Sequence, residues 1–369
     1  MRGSIRRRGK NSWGLKFDLE PIDGRRRTVF LSVKGSRRDA EKRLSEELAK
    51  VNAGTFVEPA KTTVADFTMA RIAAWRAGDK ISERTRTRYD EVARHQIIPH
   101  LGATAIQRLS IEGIEAWHNE LKAQGLSPYT IRQAHNVLNK VLTDGERIGK
   151  LARNICRLEK APPVKKKAPE IVKDPVPFLD AIKHAPRFYA LASLALLAGL
   201  RLGECLALRV CSADLDAGVL DVKESLDEHA NAKSPKTESG IRKLVMPPAL
   251  IETMRAHRLA LMEFRMKVGV GKLGNDDYLF VDRRGRPLRV RTVSTDFARL
   301  MAAIGRPEIT FHALRHSHAS LLIHSNVPVT VIAASMGHSS PQITLSTYAH
   351  LYSNDDAQAA AAIDAALSS

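Results

Sequence analysis

Cysteine is scarce: three in 369 residues, and Cys156, Cys205 and Cys211 have no paired spacing. That spacing fits reduced cytosolic thiols better than a disulfide framework. Long apolar runs are also missing. The longest, Phe188 to Leu200, covers 13 residues, and a membrane-crossing helix needs roughly 20. The opening MRGSIRRRGK has charge but lacks the apolar stretch of a signal peptide. A cytoplasmic protein with no membrane partner is therefore expected. Aromatic residues are few, at 5%, yet hydrophobic residues reach 44%, enough for packed cores rather than disorder. The length allows two or three domains. Negative charge is in deficit, with 40 acidic residues against 58 Lys and Arg, a net charge of +18. Such an excess points to a polyanionic partner, of which nucleic acid is the commonest.

What is present divides along the chain. In residues 1–60, WGLKFDL (Trp13–Leu19) and TVFLSV (Thr28–Val33) alternate as short strands, with a turn at Ile22-Asp23-Gly24. Ser36 then caps a helix that Gly54 stops. This segment holds 15 basic and 8 acidic residues, hence about +7. Arg6, Arg7, Arg8, Arg25, Arg26 and Arg27 cluster on its strands and turn, as a sheet that lays one face into a DNA groove would need. From Thr62 to about Lys160, caps and apolar spacing predict four helices opened by Thr63, Ser82, Ser110 and Ser127. Arg84, Arg86, Arg88 and Arg132 decorate them and suit a clamp on a duplex backbone. APPVKKKAP (161–169) has nothing to bury and reads as a linker.

Beyond it, Phe188–Gly199 is apolar enough to be a buried helix. Arg201 follows directly, and a buried guanidinium demands anionic partners. Glu204 could satisfy one side of it and leave the other for a ligand. Val219 to Pro247 has strand character with a polar tip, KSPKTESG, carrying Lys233 and Lys236. Leu250–Val268 and Thr292–Ile304 read as helices, with a strand and turn between them at Tyr278–Arg286.

The segment Phe311–Leu351 carries the densest chemistry. His312 and Arg315, at i and i+3, share a helix face, and spacing does not separate His316 from them. His338 falls in a tight turn after Gly337, and Tyr348 lies two turns into the next helix. Five histidines lie between 312 and 338, but neither HExxH nor a Cys–His pairing accompanies them, so no metal is expected. VTVIAASMGHSSPQITLSTYAHL also has the look of a helix-turn-helix, which keeps a DNA-binding regulator without chemistry open.

AGLRLGECLALR, FHALRHSHAS and SMGHSSPQITLSTYAH, in that order, resemble the three signature boxes of the tyrosine recombinase (phage integrase) family, and the ten-residue step from His338 to Tyr348 matches. The resemblance implies a multidomain, mainly α fold with small antiparallel sheets (α+β). It would comprise an arm-type DNA-binding domain (1–60), a helical core-site-binding domain (61–160), the linker (161–169), a mostly helical catalytic domain with a three-stranded sheet (170–354) and a tail helix (355–369) packing on a neighbouring protomer. It implies Tyr348 as nucleophile, forming a 3′-phosphotyrosine. Arg201 and Arg315 would hold the phosphate, His312 would help accept the tyrosine proton, and His338 would bond the phosphate. Lys236 would protonate the leaving oxygen, with Lys233 its rival, and Glu204 would orient Arg201. No cofactor is implied. The implied partners are double-stranded DNA at core and arm sites, a homotetramer, a directionality factor for excision and a host DNA-bending protein. A chromosome-dimer resolvase of the same family is the alternative, although such proteins lack the basic sheet segment. Met336 and Ala313 depart from the family's usual Leu and Asp.

Overall fold

Alternating side chains on the basic amino-terminal segment make a sheet with one apolar face. The computed structural model describes residues 3–22, 25–78, 81–164, 169–235, 238–351 and, in the tail, 364, 366 and 367. Strands β1 (Gly3–Gly9), β2 (Ser12–Ile22) and β3 (Arg25–Lys34) pair antiparallel in that order. Leu15, Phe17 and Val29 are buried with Ala40 and Leu44 of helix α1 (Arg37–Asn52). Ser36 and Asp39 close a reciprocal capping box at its start. Strand β1 adds to the two strands read from sequence. Its run IRRRG has no apolar alternation, and pairing to β2 defines it.

By contacts the chain forms two compact units, Met1–Lys166 and Lys167–Ser369. The sheet and α1 share the first with a helical bundle. Its members are α2 (Val64–Ala77), α3 (Glu83–Val92), α4 (Ile98–Leu101), α5 (Ile111–Ala123) and α6 (Pro128–Arg147). Residues Ala93–Ile97 widen to a π-helical turn between α3 and α4. The side-chain hydroxyls of Thr63, Ser82, Ser110 and Ser127 cap four of these helices. Trp117, Leu121, Leu138 and Leu142 fill the bundle core.

In the second unit α7 (Pro175–Ala181) leads to α8 (Pro186–Leu197), whose Ala190–Leu196 stretch is wholly buried. Short α9 (Leu202–Ala207) follows. Strands β4 (Ala213–Asp214), β5 (Val219–Val222) and β8 (Arg242–Val245) form a three-stranded sheet in the order β4-β5-β8; β6 (Ser225–Leu226) pairs with β7 (Ala232–Lys233). The stretch Tyr278–Val281 is not a strand. It makes isolated bridges with Arg209 and Pro287, single loop residues that cannot extend a ladder. Helices α10 (Pro248–Lys267), α11 (Val290–Ala303), α12 (Phe311–His324), α13 (Val329–Met336) and α14 (Pro341–Tyr348) complete the unit. Ala319, Ile323, Ile332, Met336 and Tyr348 join the last three in a small apolar cluster. The protein is thus mainly helical with small antiparallel sheets. Among the described residues no helix is long and apolar enough to cross a membrane.

Candidate active site

Two sharp turns bring the polar residues of the second unit together. Helix α8 stops, and Gly199 adopts a left-handed φ of +66°, which suits a residue without Cβ. Helix α13 ends at Gly337, φ +62°, with the His338 N–H bonded to the Ala333 carbonyl and the Gly337 N–H to that of Ala334. Both turns aim carbonyls at guanidiniums. Arg315 donates to the carbonyls of Gly199 and Met336, and Arg201 Nη2 reaches the Gly337 carbonyl at 3.5 Å.

Arg315 is 2% exposed, and its described hydrogen bonds go to carbonyls rather than a carboxylate. Burial, reinforced by Arg201, pushes its pKa down to about 9, still protonated at neutral pH. Glu204, 3% exposed, serves the other two guanidiniums. Arg201 donates its backbone N–H (3.0 Å) and Nη1 (2.7 Å), and Arg242 donates Nη2 (2.9 Å). Burial acts to raise the Glu204 pKa, but Arg242 and Arg201 outweigh it and the carboxyl stays below its ordinary range. Two guanidiniums therefore share one carboxylate and a third, Arg315, is bonded to carbonyls only, a local balance of about +2 that favours an anion with phosphate geometry. Arg242 was missed in the sequence. It lies in the strand-like IRKLV, where nothing but burial separates it from a solvated arginine.

Arg201, His312, Arg315, His316, His338 and Tyr348 line one cavity of about 330 Å³. His338 Nδ1 lies 2.8 Å from Thr344 Oγ1, which leaves Nε2 for a ligand. Tyr348 is 1% exposed, and burial raises its phenol to about 12 against a smaller opposing pull from Arg315. The phenol is therefore protonated at neutral pH. Its hydroxyl bonds His316 Nδ1 at 2.5 Å. His312 instead packs edge-on against His316, ring centroids 4.6 Å apart. Hence the tyrosine contact expected of His312 is made by His316, one turn further along α12. Burial first, and neighbouring positive charge second, holds His312 below its ordinary value and His338 at about 4. Lys236 lies outside the described residues. Lys233 donates to Asp227 at 2.7 Å and holds that carboxyl well below the usual range. Among the described residues no group of three or more His, Cys, Asp and Glu is placed to hold a metal ion.

The phage integrase family pattern matches residues 173–355, the span that contains the cavity. A tyrosine recombinase XerC-like protein of Caldanaerobacter subterraneus is 30% identical over 259 residues, 64% of this chain and 66% of that protein. The chain belongs to the tyrosine recombinase (phage integrase) family. Members of this family cleave and rejoin DNA. The integrase of Mycobacterium phage L5 is 25% identical over 89% of the chain and 88% of its own length. In fold, the Tn1549 transposon integrase in complex with circular intermediate DNA superposes with a TM-score of 0.66 at 20% identity, over 81% of this chain and 98% of that one. A lambda integrase tetramer bound to a Holliday junction gives 0.56 at 18% identity, over 91% and 96%.

In this tyrosine recombinase the remaining basic candidates separate by environment. Arg6 pairs with Gly14 across the sheet, and Arg8 Nε lies 3.2 Å from where a Gly14 Cβ would stand. Both are exposed on the face opposite α1, which also carries Lys16 and the exposed Phe30. Arg7 is also exposed and donates to the carbonyls of Gly9 and Lys10. Arg26 is held by Asp18 at 2.6 Å and Arg27 by Glu58 at 2.9 Å. The Arg25 backbone pairs with Ile22, and its side chain lies outside the described set. In the bundle Arg84 and Arg88 are exposed. Arg86 is engaged by Glu83 and Asp90, and Arg132 by the Pro162 carbonyl at 2.8 Å.

Proposed function

We propose that the protein is a site-specific integrase that inserts a mobile element into DNA, and excises it, through a 3′-phosphotyrosine intermediate. The carrying observation is that Tyr348 shares one cavity with two guanidiniums, Arg201 and Arg315, whose neighbourhood has more positive than negative charge. Tyr348 attacks a phosphorus and stores the bond energy as an ester, so rejoining requires no external energy source. Arg201 and Arg315 meet the non-bridging oxygens and stabilise the charge that builds on them. His312 and His338 face the same phosphate, Lys236 protonates the departing 5′ oxygen, and Glu204 orients Arg201. No metal or organic cofactor enters these steps.

The same reading assigns 1–60 to arm-site DNA, 61–160 to core-site DNA, 170–354 to catalysis and 355–369 to a contact on a neighbouring protomer, with 161–169 as the linker. Four protomers hold two duplexes, helped by a directionality factor and a host DNA-bending protein. The phage and transposon integrases among its relatives support this reading over a resolvase, as does the basic sheet at the amino terminus. The test is Tyr348→Phe. That variant should bind DNA as the wild type does and yield no adduct on a denaturing gel. An adduct formed by the variant would remove Tyr348 from its role.

A further inference from the structure

The Tyr348 hydroxyl lies 2.5 Å from His316 Nδ1, with the two rings 5.6 Å apart at 61°. We infer that His316 is the catalytic residue that takes the proton from Tyr348 as the phenol attacks a DNA phosphate, and returns it when the strand is rejoined. The inference rests on the reading of this cavity as a phosphotyrosine-forming site.

The other histidines of the cavity make different contacts. His312 packs against the His316 ring with the two planes 79° apart. His338 engages Thr344 through Nδ1. Among the described residues no carboxylate lines the cavity, because Glu204 faces Arg201 and Arg242. An imidazole is useful here only if it is neutral, and its surroundings keep it so. Burial, then His312 and Arg315, bring His316 down to about 4. With its proton on Nε2, the neutral ring accepts the phenol's hydrogen bond at Nδ1. Among the described residues the charged and titratable groups that share its cavity are His312 and Arg315 on its own helix, Arg201 just before α9, Tyr348 on α14 and His338 in the turn before α14.

The Tyr348 O–H bond breaks and an Nδ1–H bond forms, giving an imidazolium. The Oη–P bond forms while the P–O5′ bond breaks, and the 5′ oxygen takes a proton from Lys236 or water. The phosphate's negative charge sits against the new imidazolium. In rejoining, the 5′-hydroxyl returns its proton to Lys236 or water and attacks, the P–Oη bond breaks, and the imidazolium protonates the departing phenolate.

The test uses the full chain and a nicked duplex oligonucleotide of the sequence recovered from the covalent complex. His316→Asn keeps an oxygen near the Nδ1 position but cannot take a proton. It should bind the oligonucleotide normally and form adduct about 100-fold or more slower. Its rate should climb about tenfold per pH unit as hydroxide replaces the base, whereas the wild-type rate is flat near neutrality. A bridging 5′-phosphorothiolate, whose thiolate leaves without a proton, should rescue Lys236→Ala and not His316→Asn. In His316→Ala, added imidazole should restore adduct formation. A wild-type rate and flat pH profile in His316→Asn would overturn the assignment, as would its rescue by the phosphorothiolate. If neither variant binds DNA, nitrogen NMR of the wild type decides. The Nε2–H tautomer, disturbed by Tyr348→Phe, supports the assignment, and the Nδ1–H tautomer overturns it. A wild-type protein that makes no adduct with any DNA fails the integrase reading instead.

Discussion

Replacing Gly199 with Ala tests how closely the turn after α8 packs on His318 of α12. A Cβ there faces two separate problems. The φ of +66° is left-handed, which costs a non-glycine residue about 1–2 kcal/mol. The Cβ would also lie 2.6 Å from His318 Cδ2, so the ring must move. His318 is buried and bonds the Leu196 carbonyl at 3.0 Å through Nδ1. Displacing it forfeits about 1 kcal/mol of hydrogen bond and adds roughly 1 kcal/mol or more of overpacking. Gly269→Ala isolates the first problem. Its φ is +74°, it lies in the same unit, and no atom stands within 4 Å of its Cβ position. Gly199→Ala should therefore cost about 2 kcal/mol more than Gly269→Ala, a further loss in melting temperature of ~4–8 °C for a unit of this size. Circular dichroism is the proper assay, because Trp13, Trp75 and Trp117 all lie in the other unit. The Gly199 carbonyl also holds Arg315, so Gly199→Ala should slow DNA cleavage while Gly269→Ala does not. Equal destabilisation by the two substitutions would refute the close approach to His318.

Three further outcomes follow from the same structure. Glu204→Ala strips the carboxylate from the buried Arg242 and should cost about 3–5 kcal/mol in denaturant unfolding, with Glu204→Gln intermediate; a loss below about 1 kcal/mol would contradict the shared network. His135, 3.2 Å from His118 in the bundle core, is lowered to about 4 by burial and then by His118. The fold therefore binds fewer protons than the unfolded chain between pH 4 and the ordinary 6.5, and stability present above 6.5 is lost as pH falls through that window. Tryptophan fluorescence should show a loss of roughly 2 kcal/mol by about pH 5, and His135→Leu should remove most of that pH dependence. On the sheet, Arg6→Ala and Arg8→Ala should each lower the salt slope of DNA binding by about 1, while Arg27→Ala, already paired with Glu58, should change it less.

How far the sequence reached depended on whether a signal was local. Caps at Ser36, Thr63, Ser82, Ser110 and Ser127 were legible because a hydroxyl ahead of an apolar period carries its own mechanism. Strand β1 was not, because its stability comes from pairing rather than from its own alternation. Arg315 and Tyr348 could be placed on helices by spacing alone. The choice between His312 and His316 could not, since residues four apart lie on one helix face and only the packing of α14 against α12 selects between them. Arg242 was invisible for a related reason: its partners, Glu204 and the Ser335 carbonyl, are far away in the chain.

The atom of the protein that holds the DNA identifies the nucleophile. Wild-type protein trapped on a nicked duplex, digested with protease and nuclease, should yield one modified peptide by mass spectrometry. Its nucleotide should be joined through a 3′-phosphate to the Tyr348 oxygen, with a free 5′-hydroxyl on the released strand. Attachment through another residue, or through a 5′-phosphate, would contradict a 3′-phosphotyrosine at Tyr348.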